Sequence, residues 1–173
     1  PELREIAPFG YVDYITGLKT SGNPNIQRSL VNNYDLRYEY YPNAGEIFSA
    51  SLFYKSYSSP IEEIYSPGQN NPEKTFDNAR GGAYNYGIEL EVRKKLGFIS
   101  RVFTDFTINA NVSLINSSVN LENLQTVSTE KTRRMQGQSP YTINLGLFYD
   151  NDELGTSVNL LYNKFGRRIS EVG

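Results

Sequence analysis

The chain contains no cysteine, no histidine and no tryptophan, and a single methionine among 173 residues. Without cysteine there is neither a disulfide framework nor a zinc-thiolate site. Without histidine a Ser-His or Cys-His nucleophile pair cannot be assembled from these residues, and the usual zinc and iron ligand sets are missing. Formal net charge is only −2, so there is no basic footprint for nucleic acid. No stretch approaches the roughly 18 consecutive apolar residues of a transmembrane helix. The opening "PELREIAPFG" lacks the basic start and apolar run of a signal peptide. Both ends read as interior sequence, so the expectation is a piece of a longer chain. Tyrosine is what the chain has in excess, with 14 copies. Tyrosine favours strands and boundaries where one end of the ring is wet.

The segment "NYDLRYEYYPNAGE", residues 33–46, sets Asp35, Arg37 and Glu39 in alternation with Leu36, Tyr38 and Tyr40. A spacing of two is the strand period. The same pattern recurs and predicts six strands: 30–41, 46–57, 83–96, 101–116, 138–149 and 156–163. The turn Pro42-Asn43-Ala44-Gly45 joins the first two. Residues 58–82, rich in Pro, Asn and Gly, read as a long loop, and so do residues 117–137. Residues 11–19 alternate weakly and suit a further strand or a loop ribbon. The fold class is therefore all-β, an antiparallel meander of long strands.

Most of these strands run well past the usual mode of about five or six residues and reach the 9–11 or so that a tilted membrane strand needs. Their connections run short, long, short, long, short, as in outer-membrane barrels with short periplasmic turns and long extracellular loops. One face collects Leu36, Leu52, Ile88, Leu90, Ile108, Val112, Leu145 and Leu160 in mid-strand, with tyrosines towards the ends. That order suits a lipid-facing surface with an aromatic girdle. The other face carries Asp35, Arg37, Glu39, Glu89, Glu91, Arg93, Asn109 and Asn111 and would face a watery lumen. A soluble sandwich shows the same alternation with its apolar face turned inward, so periodicity leaves that alternative open.

The ordered series "PELREIAPF", "SGNPNIQRSLVNNYDLRYEYYP", "FYKSYSSPIEE", "NARGGAYNYGIELEVRKKL", "RRMQGQSPYTINLGLFYDN" and "LLYNKFGRRISEVG" resembles the later barrel of TonB-dependent outer-membrane receptors, particularly those of Bacteroidetes-type bacteria. The resemblance runs over essentially the whole chain. It implies a segment of a transmembrane β-barrel of about 22 strands with a plugged lumen. It implies residence in the bacterial outer membrane, contact with outer-membrane lipid, and import of a scarce nutrient such as a siderophore, corrinoid, glycan or peptide. Residues 1–29 then fall mainly in an extracellular loop region. The plug domain and the segment that contacts TonB would precede this chain, and closing strands would follow Gly173. A small autonomous outer-membrane barrel and a soluble β-sandwich binding module remain the alternatives.

Few residues offer chemistry. The charged set at Asp35, Arg37, Glu39, Glu89, Glu91 and Arg93 reads first as a hydrated lattice of ion pairs, each worth little. Its functional reading is a solute path or a seat for the plug. Glu62, Glu63 and Tyr65, at the exit of a loop-bound strand, are candidate extracellular contacts for ligand. Lys131, Arg133 and Arg134 form a basic spot on the second long loop that suits an anionic ligand or lipopolysaccharide phosphates. "DNDE" at residues 150–153 lacks the rest of a calcium loop. Two sequon matches, at Asn111 and Asn116, fall in a predicted strand and carry no glycosylation reading. Glu89 and Glu91 have a spacing glycosidases could use, but nothing else marks a cleft. No catalytic, cofactor or metal site is predicted, and the chain reads as a non-enzyme.

Overall fold

The computed structural model describes residues 2–12, 14, 17–66, 73–122, 124 and 130–170. After a single turn of helix, α1 (Leu3–Ile6), two short strands pair as a ribbon, β1 (Gly10–Val12) and β2 (Lys19–Ser21). Long strands follow: β3 (Leu30–Tyr40) and β4 (Ile47–Ser58). A hairpin of β5 (Ile61–Ser66) and β6 (Glu73–Asn78) leads to β7 (Ala83–Lys95) and β8 (Phe106–Asn120). The two-residue β9 (Thr132–Arg133) precedes β10 (Tyr141–Asn151) and β11 (Thr156–Phe165).

The six long strands form one antiparallel wall in the order β11-β10-β8-β7-β4-β3, with β9 pairing the far end of β8. A smaller sheet, β1-β2-β6-β5, stands beyond the wall at its long-loop end. The wall does not close, since β3 and β11 are its edges. Its turns need little. Gly45 supplies a φ of 80° in the β3–β4 turn, where an L side chain would be strained.

Several boundaries differ from the sequence reading, each for a local reason. The loop over residues 58–82 carries the β5–β6 hairpin. "IEEIYS" lacks period-two alternation, so only its tertiary partners reveal it. The fourth long strand begins at Phe106 rather than Arg101, because residues 101–103 wind into a 3₁₀ turn after Ser100, whose hydroxyl accepts from the Val102 N–H at 3.4 Å. The same strand runs on to Asn120, since Ala83 pairs with Val119 and β9 adds to its other edge. The fifth begins at Tyr141 after Pro140, which cannot donate to a ladder. In the weakly alternating stretch over residues 11–19, positions 13, 15 and 16 lie outside the described residues.

The packed core is not in the middle of the wall but where its strands meet the long loops. It is a small cluster of Ile64, Ala79, Ala83, Val119, Leu121 and Leu124, with Tyr57 and Met135 against it, at the long-loop end. By contrast Leu36 is 70% exposed, Leu52 53% and Leu160 68%. A single sheet with an apolar face normally buries that face on a second layer. Among the described residues no second layer covers it.

Candidate functional site

The register converts the alternation into rows across the wall. On one face Leu36, Leu52, Ile88, Leu114 and Tyr141 stand side by side. The next row is Tyr38, Ala50, Leu90, Val112 and Ile143, and the next is Tyr40, Phe48, Val92, Ala110, Leu145 and Tyr162. Towards the long loops comes a row of Tyr34, Tyr54, Tyr86 and Asn116, then Asn32, Ser56, Tyr84 and Ser118. Polarity thus rises in steps along this face, from aliphatic to tyrosine to hydroxyl and amide.

The opposite face is an ion-pair and amide lattice. Arg37 is its hub. Its guanidinium reaches Glu39 at 2.5 Å, Glu91 at 3.0 Å and the Ser51 hydroxyl at 3.2 Å. The Tyr41 hydroxyl also donates to Glu39. Arg93 donates to Asn109 at 3.2 Å. Asn163 donates to Asn144, which donates to Asn111 at 3.4 Å, so a chain of amides crosses three strands. Asp35 and Glu89 lie on this face in register with Phe53 and Ser51. A hollow of about 350 Å³ sits over the amide chain beside Gly146, with Phe148 and Leu161 at its side. The predicted set at Asp35, Arg37, Glu39, Glu89, Glu91, Arg93, Asn109 and Asn111 therefore shares one face. Asn144 and Asn163 join it: parity places them on this face, and the register brings them into line with Asn111.

Apolar rings interrupt the polar face at Phe53, Phe148 and Phe165, and the first two cover glycines. Phe53 lies over Gly87, where an added Cβ would come within 2.8 Å of the ring and 2.3 Å of the Leu114 carbonyl oxygen. Phe148 similarly covers Gly146. An aromatic laid over a strand glycine restores packing that the missing side chain cannot supply.

At the long-loop end, Glu62 on β5 and Arg133 on β9 form a pair at 2.5 Å with both side chains 7% exposed. Burial pushes the Glu62 carboxyl above its usual range, against the pull of Arg133. Glu63 pairs with Lys74 at 2.8 Å and accepts from Gln136 at 2.9 Å. Tyr65 is buried. Arg134 is exposed, and Lys131 reaches Glu122 at 3.5 Å. The structure thus splits the predicted loop contacts. Glu62, Glu63 and Arg133 bind the two long loops to each other and Tyr65 is buried in the first, while Lys131 and Arg134 face outward. Between this junction and Arg4 and Arg168 lies a cleft of about 510 Å³.

The short-turn end has its own anchor. Glu46 is buried and accepts from Lys94 at 2.8 Å, Asn43 at 2.8 Å and the Lys95 N–H at 3.3 Å. Lys94 first, then Asn43, hold its carboxyl below the usual carboxylate range.

The siderophore receptor PirA from Pseudomonas aeruginosa superposes with a TM-score of 0.64 at 17% identity, covering 96% of this chain and 28% of that one. A mutant of the ferric enterobactin receptor PfeA from Pseudomonas aeruginosa superposes with a TM-score of 0.57 at 16% identity, covering 96% of this chain and 24% of that one. The chain therefore spans about a quarter of the length of these receptors, and the likeness at such identity is one of fold. A search of curated proteins gave no match. The family described as "TonB dependent receptor-like, beta-barrel" matches residues 3–171, nearly the whole chain. An open antiparallel wall of long strands, apolar and exposed on one face and polar on the other, is what a piece of such a barrel requires, and the chain belongs to the TonB-dependent receptor β-barrel family.

Proposed function

We propose that this chain forms an arc of the wall of an outer-membrane receptor that imports a scarce nutrient, a siderophore, corrinoid, glycan or peptide. Family members reside in the outer membrane. The observation that carries the reading is the exposed apolar face, arranged in continuous rows and bounded by tyrosines, on a sheet with no second layer among the described residues. In this reading the Leu90 face meets lipid and the Arg37–Glu91 face meets the lumen. The edges of β3 and β11 pair with neighbouring strands of a barrel of about 22, since unpaired edges are not tolerated in a bilayer. TonB acts through a plug domain outside this chain. The two long connections stand outside the cell, where Lys131 and Arg134 meet solvent or ligand.

Two measurements test it together. An antibody against residues 58–80 should detect the protein in the outer-membrane fraction and label intact cells. Deleting the gene should abolish energy-dependent uptake of one probe among a ferric siderophore, cobalamin, an oligosaccharide and an oligopeptide. Recovery in the soluble fraction, or unchanged uptake of all four, overturns the proposal.

A further inference from the structure

Above the tyrosine row, on the same face as Leu90, the wall carries a hollow of about 490 Å³. Ser56, Ser58, Ser118, Asn120, Thr132 and Arg80 line it, with Tyr84 at its lower rim. Its place follows from the register. Ser56 and Ser118 stand on either side of Tyr84, and Asn120 is beside Thr132, two residues further along β8. These positions have the same parity as Leu52, Ile88 and Leu114, so they lie on the apolar face and not on the lattice of Arg37. Directly below are Tyr34 and Tyr54, rings 6.4 Å apart, and Tyr84 and Tyr86, stacked at 6.1 Å.

The hollow is shaped by glycine. A Cβ at Gly81 would come within 2.5 Å of the Asn120 side chain. Gly82 holds a φ of 76°, which lets the chain turn away from the wall without filling the space. Arg80, on the same turn, is exposed, and Arg134 is exposed beyond β9.

Stacked tyrosines on a barrel exterior mark the level of lipid head groups. A concavity just above that level, lined by hydroxyls and an amide with a guanidinium at its lip, offers a phosphate its planar donor fork and offers sugar hydroxyls their partners. A choline or ethanolamine phospholipid also brings a phosphate to the guanidinium, but it has no sugar hydroxyls for the serine and amide row. The geometry points to a binding site for an anionic glycolipid of the outer leaflet, a phosphorylated sugar head group seated on Arg80 and the Ser56–Ser118–Asn120 row, with its acyl chains descending over Tyr84 and Ile88. This rests on the proposed orientation, in which the Leu90 face meets lipid.

The test uses the receptor purified from the outer membrane in detergent and stripped of lipid. Bisphosphorylated lipid A is titrated in, and binding is counted by native mass spectrometry. Each charge near a membrane surface contributes about a fivefold factor, so Arg80→Ala should lower affinity about fivefold and Arg80→Glu about thirtyfold. Dephosphorylated lipid A should bind no better to the unmodified receptor than bisphosphorylated lipid A binds to Arg80→Glu. Lys55 is the control. It stands at the same height on the opposite face, in register with Asn33 and Asn85, and Lys55→Glu should leave affinity unchanged. An equal loss in Lys55→Glu, no loss in Arg80→Glu, or displacement by millimolar inorganic phosphate would overturn the site. A spin label at Leu90→Cys separates this from the orientation. If the label is lipid-accessible while Arg80→Glu has no effect, the glycolipid site falls and the orientation stands. If the label is not lipid-accessible, both fall.

Discussion

Leu90→Arg gives the energetic consequence of the proposed facing. Leu90 lies four residues from Tyr86 and four from Lys94 on the same face of β7. At about 3.4 Å per residue each arm is about 14 Å long, and a tilt of about 40° projects it to about 10 Å along the membrane normal. The apolar band of such barrels is about 25 Å tall, so Leu90 is close to its centre. An arginine at the midplane of the lipid face costs about 2–4 kcal/mol of membrane folding, a factor of about 30 to 900 in the folding equilibrium. Asn111→Arg is the matched comparison. Asn111 stands directly across from Glu91 on the other face, so an arginine there gains a carboxylate neighbour. Its cost should stay below about 1 kcal/mol. Guanidinium titration of the receptor refolded into lipid vesicles reads both. If Asn111→Arg is the more damaging change, the faces are inverted and the account fails.

Further outcomes follow from the loop junction, the turn and the wall. Glu62→Ala leaves Arg133 buried without its counter-charge and should loosen the long loops by about 3–5 kcal/mol, seen as accelerated proteolysis between residues 58 and 82. The joint replacement Glu62→Met with Arg133→Leu should restore most of that protection. The pH dependence of the two ends should be opposite. Glu46 titrates below its ordinary 4.5, so its contribution is present above 4.5 and is lost as pH falls through the depressed value. Glu62 titrates above its ordinary 4.5, so its contribution is full below 4.5 and is lost as pH rises through the raised value. Lowering the pH from 7 into the range below 4.5 should therefore loosen the β3–β4 turn while the β5–β6 hairpin tightens, as read by hydrogen exchange; the same trend at both ends would contradict the assignment. Gly87→Ala should cost about 1–3 kcal/mol in the same vesicle titration, because its Cβ meets the Leu114 carbonyl and the Phe53 ring. An unchanged midpoint would show that the ring over Gly87 is free to move.

The wall was legible in the sequence because one rule sets it. Alternation at Asp35–Tyr40 or Glu89–Arg93 assigns a face to every side chain, and antiparallel pairing carries that face to the next strand unchanged. The loop junction was not legible. Glu62 and Arg133 stand 71 positions apart, and nothing local in "IEEIYS" or "KTRR" announces that they meet. Their meeting depends on β9 adding to β8 and on the core around Val119, both tertiary facts. The amide chain at Asn111, Asn144 and Asn163 shows the intermediate case. Each residue could be assigned to the polar face by parity, but their alignment needed the register set by the turns. The glycolipid hollow was hidden for a related reason: serines at 56, 58 and 118 look like ordinary strand polarity until the register stacks them above a row of tyrosines.

The central claim is the facing of the wall, and a label scan along β7 tests it most directly. These 173 residues contain no native cysteine, so single substitutions at residues 88 to 93, in a receptor with any cysteine elsewhere replaced, report one position each. With spin labels on the receptor in lipid vesicles, the account predicts that positions 88, 90 and 92 relax with lipid-dissolved oxygen and are shielded from a water-soluble nickel reagent. Positions 89, 91 and 93 should show the reverse. A pattern shifted by one residue, or no alternation at all, would contradict it.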